Sequence, residues 1–103
     1  MDLIKFKVTG VVQGVCFRYY TQKEATRLGI RGWCHNHPDE SVEGVALGHP
    51  EEIAKFKVFL WRGPPSAEVS KVVIDETKDV DVASGEVTRL DLAPKFEIRR
   101  FRR

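Results

Sequence analysis

The stretch with the most chemical content is Gly10-Val11-Val12-Gln13-Gly14-Val15-Cys16-Phe17-Arg18. A strand-like pattern ends there, a glycine-containing loop follows, and a helical pattern opens with an arginine in its first turn. Glycine lets backbone N–H groups approach a ligand closely, and successive inward-turned N–H groups form an anion nest. The start of a helix adds unpaired donors and the positive end of its dipole. Arg18 contributes a planar fork that can hold two phosphate oxygens. All three suit an anion about the size of phosphate. The spacing is neither a Walker A loop, which would continue Gly-Lys-Ser/Thr, nor a Gly-x-Gly-x-x-Gly dinucleotide loop. A plain strand-to-helix turn with an exposed arginine fits the same residues, so both readings stand at this point.

A second candidate is Gly32-Trp33-Cys34-His35-Asn36-His37. The Asn36 carboxamide donates and accepts at once. It could hold a water for attack on a bound phosphoryl group, or simply stabilise the turn beside it. Trp33 is expected in the core. His35 and His37 share a strand face and, with Cys34 or Asp39, would suggest zinc. The C-x₂-C and H-x₃-H spacings of structural zinc are absent, so no metal site is expected. Cys16 borders the loop with no base marked beside it and reads as a small buried hydrophobe. No Ser-His-Asp set or carboxylate pair stands out.

The elements that must position these residues follow from periodicity. Residues 3–12 alternate, with Ile4, Phe6 and Val8 on one face and Lys5 and Lys7 on the other, which predicts a half-buried strand. Residues 18–28 predict a helix, with Phe17, Thr21, Ala25 and Leu28 at helical spacing and Gly29 as a left-handed cap. Strands are expected over 30–37 and 42–47, joined by Pro38-Asp39-Glu40-Ser41. Pro50-Glu51-Glu52 opens a second helix, Ile53, Phe56 and Leu60 form its buried stripe, and Gly63-Pro64-Pro65 stops it. A strand is expected over 69–74 and a last one around Phe96 and Ile98. The acidic stretch 75–91 could finish one strand, form a loop and begin the next. The order is β-α-β-β-α-β with an extra strand near the end. It predicts an α+β, ferredoxin-like sandwich, an antiparallel sheet with two helices on one face. That fold alone identifies no function.

Composition narrows the class. A chain of 103 residues, 42% hydrophobic and 31% charged, is expected to form one soluble domain spanning 1–103. No apolar run approaches the ~20 residues of a membrane span. The N-terminal residues mix charge with apolarity, unlike an export signal, and two cysteines are too few for a disulfide scaffold. A cytoplasmic protein with reduced thiols is the expectation. The net charge of +2 conceals a basic end, with five bases and one acid from Lys95 to Arg103. That end could contact a polyanion or be a solvated face. No aromatic RNA-recognition run accompanies it, so no nucleic-acid partner is expected.

Val8-Thr9-Gly10-Val11-Val12-Gln13-Gly14-Val15-Cys16-Phe17-Arg18 resembles the first signature of the acylphosphatase family throughout, and Gly32-Trp33-Cys34-His35-Asn36 the start of the second. Leu28-Gly29, Val42, Gly48, Gly63-Pro64, Ala67, Val69 and Phe96-Glu97-Ile98-Arg99 also fall where the family has them. The resemblance covers nearly the whole chain. Glu40 stands where the family usually has glycine and implies a different hairpin turn, and residues 75–91 match poorly. The resemblance implies hydrolysis of the carboxyl–phosphate bond of small acyl phosphates; separately, a monomer is expected. Gly14, Val15, Cys16, Phe17 and Arg18 would bind the phosphoryl group, and Asn36 would orient the water. It implies no metal, no cofactor and no phosphoenzyme, with the substrate's phosphate accepting the proton. The alternative on the same fold is a binding module without catalysis.

Overall fold

In the first strand, alternation decides which side of the sheet is buried. In the computed structural model, which describes residues 1–14, 16–83, 85–90 and 92–100 (residue 86 by backbone only), β1 runs Asp2–Val11. It is followed by α1 Phe17–Arg27, β2 Arg31–Asn36, β3 Val42–Gly48, α2 Pro50–Arg62, β4 Glu68–Thr77, α3 Gly85–Arg89 and β5 Phe96–Ile98. The sheet order is β4-β1-β3-β2-β5. Its four-stranded body is antiparallel, as expected. The edge departs from that expectation, because β5 pairs with β2 in parallel, Cys34 opposite Ile98. The sheet is therefore mixed. The chain reaches β5 only after a long excursion from β4, and that length lets it return in the same direction as β2.

The main core lies between the sheet and the two long helices. Ile4, Phe6 and Val8 of β1, Cys34 of β2, Val42 and Ala46 of β3 and Phe96 of β5 meet Phe17 and Ala25 of α1 and Ile53, Phe56 and Leu60 of α2. Phe56 is its aromatic hub, edge-on to Phe6 at 5.7 Å and tilted against Phe96 at 5.9 Å. A buried phenylalanine contributes about 1.5–3 kcal/mol by area alone.

The opposite face carries a second, smaller core. Leu3, Val45 and Leu47 alternate out of the main core and are covered by Val87 of α3, with Trp33, Val80, Leu90 and Leu92 packed around them. The segment is fastened by Arg31, whose guanidinium donates to the carbonyls of Leu92 and Ala93, each at 3.0 Å. Stretch 75–91 thus finishes β4 and forms a loop as expected. It then forms α3, where the next strand was to begin. Trp33 is only half-buried, on this outer face, with the Arg99 guanidinium 5.5 Å from its ring.

At Gly10 the β1–β4 register shifts. Its φ is 129°, and a Cβ there would fall 2.0 Å from the Glu68 carbonyl oxygen, so a side chain is excluded. The bulge passes over Ser70, and pairing resumes at Gly10–Val69 and Val11–Glu68 before β1 gives way to the loop.

Candidate active site

Two left-handed residues shape the loop between β1 and α1. Gly14 has φ 75° and Cys16 has φ 59°, ψ 25°. For a residue with a side chain that conformation costs about 1–2 kcal/mol, and such strain gathers at ligand sites. The turn delivers the chain into α1 with its amino end open. Among the described residues no side chain caps α1, and its first turn holds no acid. The first helical bond runs from Tyr20 N–H to the Cys16 carbonyl, 3.1 Å. The N–H groups before it belong to the unpaired set that every helix start carries.

Arg18, in this first turn, is half-buried. Among the described residues it has no hydrogen-bond or ion-pair partner. Its charge is felt by Cys34 beneath it: burial pushes that thiol up to about 12 and Arg18 opposes the shift. Cys34 is therefore a neutral thiol at ordinary pH.

Asn36 ends β2 on the helix-facing side, in register with Val42. Its Oδ1 is buried and, among the described residues, accepts no hydrogen bond. Leaving a buried acceptor unpaired costs about 1–3 kcal/mol. This is the one such side-chain atom among the described residues.

These groups meet in a cavity of about 360 Å³ lined by Val12, Gly14, Cys16, Phe17, Arg18, Tyr19, Asn36 and Ile98. Of the residues singled out from sequence, Gly14, Cys16, Phe17, Arg18 and Asn36 share this lining, and Val15 lies outside the described residues. Val12, Tyr19 and Ile98 were not foreseen. The alternation of Phe96 and Ile98 gave the face on which Ile98 lies. Its neighbour depends on the parallel β2–β5 pairing, for which no local signal exists. Cys16 is exposed on the rim, contrary to its reading as a buried hydrophobe, because the left-handed turn carries it out of the core.

Beside the cavity, the β2–β3 hairpin is held by charge. Lys7 pairs with Asp39. Lys7 first, then Ser41, hold the Asp39 carboxyl well below the usual carboxylate range. Glu40 takes φ 71°, so it adopts a left-handed conformation instead of avoiding one. His35 bonds Glu43 at 2.7 Å and His37 pairs with Asp39 at 3.0 Å. Among the described residues no three His, Cys, Asp or Glu side chains are grouped to hold a metal ion.

An uncapped helix start, a half-buried arginine and an orphaned amide oxygen around one cavity suit a phosphoryl group and a water. Comparison with known proteins bears on the same chemistry. The acylphosphatase family model matches residues 4–87. An acylphosphatase of Rhizobium meliloti (strain 1021) is 39% identical over 79 residues, 77% of this chain and 83% of the relative. The crystal structure of an acylphosphatase from Bacillus subtilis superposes with a TM-score of 0.79 at 28% identity, covering 96% of this chain and 99% of that one. The structure of an acylphosphatase from Coxiella burnetii gives 0.76 at 34% identity, covering 95% and 93%. The chain therefore belongs to the acylphosphatase family, enzymes that hydrolyse acyl phosphates, and shares that activity.

Proposed function

We propose that Arg18 and the backbone N–H groups of residues 14–18 bind the phosphoryl group of a small acyl phosphate, that Asn36 orients the attacking water, and that hydrolysis of the carboxyl–phosphate bond needs no metal. The observation that carries this reading is the meeting of Arg18 and the buried, unpartnered Asn36 Oδ1 in one cavity. Water adds to phosphorus, the carboxylate leaves, and the water's proton passes to a phosphate oxygen of the substrate. The described lining holds no carboxylate and no imidazole. A proton acceptor on the substrate is consistent with that composition. Phosphoryl transfer draws most of its rate from positioning and electrostatic stabilisation, which a guanidinium and fixed N–H groups supply.

The chain acts as a single domain over 1–103, as a monomer in the cytoplasm, with no cofactor and no nucleic-acid partner. Two free cysteines support a reducing compartment. No helix among the described residues is long and apolar enough to cross a membrane.

The test is benzoyl phosphate hydrolysis, with and without EDTA, together with inhibition by inorganic phosphate. Asn36→Ala is expected to lower kcat while phosphate inhibition stays nearly unchanged. Arg18→Gln is expected to weaken phosphate binding and to lower kcat by at least the ~10²–10³ that one preorganised donor is worth. Arg18→Lys should rescue poorly, because a point charge cannot reproduce two parallel hydrogen bonds. Near-full kcat in Asn36→Ala, normal phosphate binding in Arg18→Gln, or activity lost to EDTA and restored by zinc or magnesium would overturn the corresponding assignment.

A further inference from the structure

Gln13 lies in the loop that leads to Arg18, yet it does not line the cavity. Its side-chain nitrogen Nε2 donates to two backbone carbonyls, that of His37 at 2.9 Å and that of Ser41 at 3.0 Å. Those carbonyls form the neck of the β2–β3 hairpin. His37 N–H donates to the Ser41 oxygen at 2.8 Å, and Glu40 N–H donates to the His37 oxygen at 3.0 Å. Asn36 is the residue immediately before this neck. A single side chain from the loop thus grips both sides of the hairpin next to Asn36. The covalent route between the same points runs through all of α1 and β2.

We infer that Gln13 is a positioning residue, setting Asn36 against the loop that carries Arg18. The inference rests on Asn36 holding the water. The hairpin has fasteners of its own: Ser41 donates to Asp39 from both N–H and Oγ, Lys7 pairs with Asp39, and Asn36 is in register with Val42. The turn is therefore held without Gln13. What Gln13 adds is the link across to the loop. The site needs that link because the nucleophile and the phosphoryl group are held by two different elements. A shift of about 1 Å between them can cost on the order of 10²-fold in rate.

The test compares Gln13→Leu, Asn36→Ala and the double variant in the full chain, with benzoyl phosphate as substrate and inorganic phosphate as inhibitor. Gln13→Leu is expected to lower kcat by roughly 10- to 100-fold. Its phosphate inhibition constant should move little, because the cradle stays intact. In the Asn36→Ala background the same substitution should cost no more than about threefold, since there is no longer a water holder to misplace. Gln13→Glu keeps the shape but turns a carboxylate toward two carbonyl oxygens, and only its protonated form can donate. Its kcat relative to the unsubstituted chain should climb as pH falls from about 7 to 5. If Gln13→Leu does not fold, this pH profile decides the matter, and a flat ratio would overturn the role. Full additivity with Asn36→Ala, or a parallel rise in the phosphate inhibition constant, would reduce Gln13 to a structural tie. Near-full kcat in Asn36→Ala would overturn the water-holding reading and this inference with it. An impaired Asn36→Ala beside a fully active Gln13→Leu would overturn this inference alone.

Discussion

Helix α2 begins with Pro50 at its first position and Glu51 and Glu52 in its first turn, whereas α1 begins with Arg18, no acid and, among the described residues, no side-chain cap. In α2 the negative charge that suits a helix start is built into the chain, at about 0.3–1 kcal/mol per acid. In α1 that charge is missing and a cation stands in its place, unfavourable for the dipole until an anion arrives. The same electrostatics stabilises the fold at one helix and leaves the other suited to the anion-binding role proposed for it. The start of α1 is thus the less stabilised one, and its left-handed Cys16 adds to the imbalance.

Arg18→Glu gives α1 the kind of first turn that α2 has, and it carries the largest expected effect. Activity on benzoyl phosphate should fall by more than ~10³-fold, beyond the loss of a single preorganised donor. Stability measured by urea unfolding should hold or rise by about 0.3–1 kcal/mol. A variant that loses activity by unfolding would break the comparison. The converse change, Glu51→Gln with Glu52→Gln, should cost about 0.3–1 kcal/mol per site and leave kcat unaltered. Part of the loss at Glu52 would come from its pair with Lys55 at 3.7 Å.

Smaller effects are expected at the hairpin beside the cavity. Glu40→Gly removes a side chain from φ 71°. The relief of about 1–2 kcal/mol is offset by the greater unfolded freedom of glycine, about 0.5–1 kcal/mol. A net gain of roughly 0.5 kcal/mol in the urea midpoint analysis is the expected outcome. The smallest effect is that of Asp39→Asn. The Asp39 carboxyl titrates lower in the folded chain than in the unfolded one because of Lys7 and Ser41. Its contribution is present above the unfolded value near 3.9 and is lost as pH falls toward the folded value. The thermal midpoints of Asp39→Asn and the unsubstituted chain should therefore differ at pH 7, keep most of that difference at about pH 4, and draw together progressively as pH falls further. A constant gap would remove Asp39 from the forces that hold the hairpin.

Much of the scaffold was legible because its signals are local. The alternation of Ile4, Phe6 and Val8 against Lys5 and Lys7 marks β1, and Pro50 and Gly63 bracket α2. Observed ends fall within one or two residues of the expected ones, except in β4, which continues to Thr77. The second core was not legible. Val80, Val87, Leu90 and Leu92 are scattered through an acidic stretch with no clean period. They make sense only once Leu3, Val45 and Leu47 present an apolar surface to cover.

By itself the sequence named the two halves of the candidate site. The long motif ending at Arg18 and the short one ending at Asn36 each name residue types suited to an anion and a water, and each rests on contiguous residues. Tertiary structure alone decided that the halves share one cavity, since they stand on separate elements brought together by the packing of α1 over β2 and β5 and by the Gln13 side chain. It also decided that Ile98 completes the wall, that Cys16 faces solvent, and that Gln13 reaches across to the hairpin neck. Periodicity assigns a side chain to a face. Its neighbour on that face is settled by strand order and register, which arise from burial summed over the whole chain.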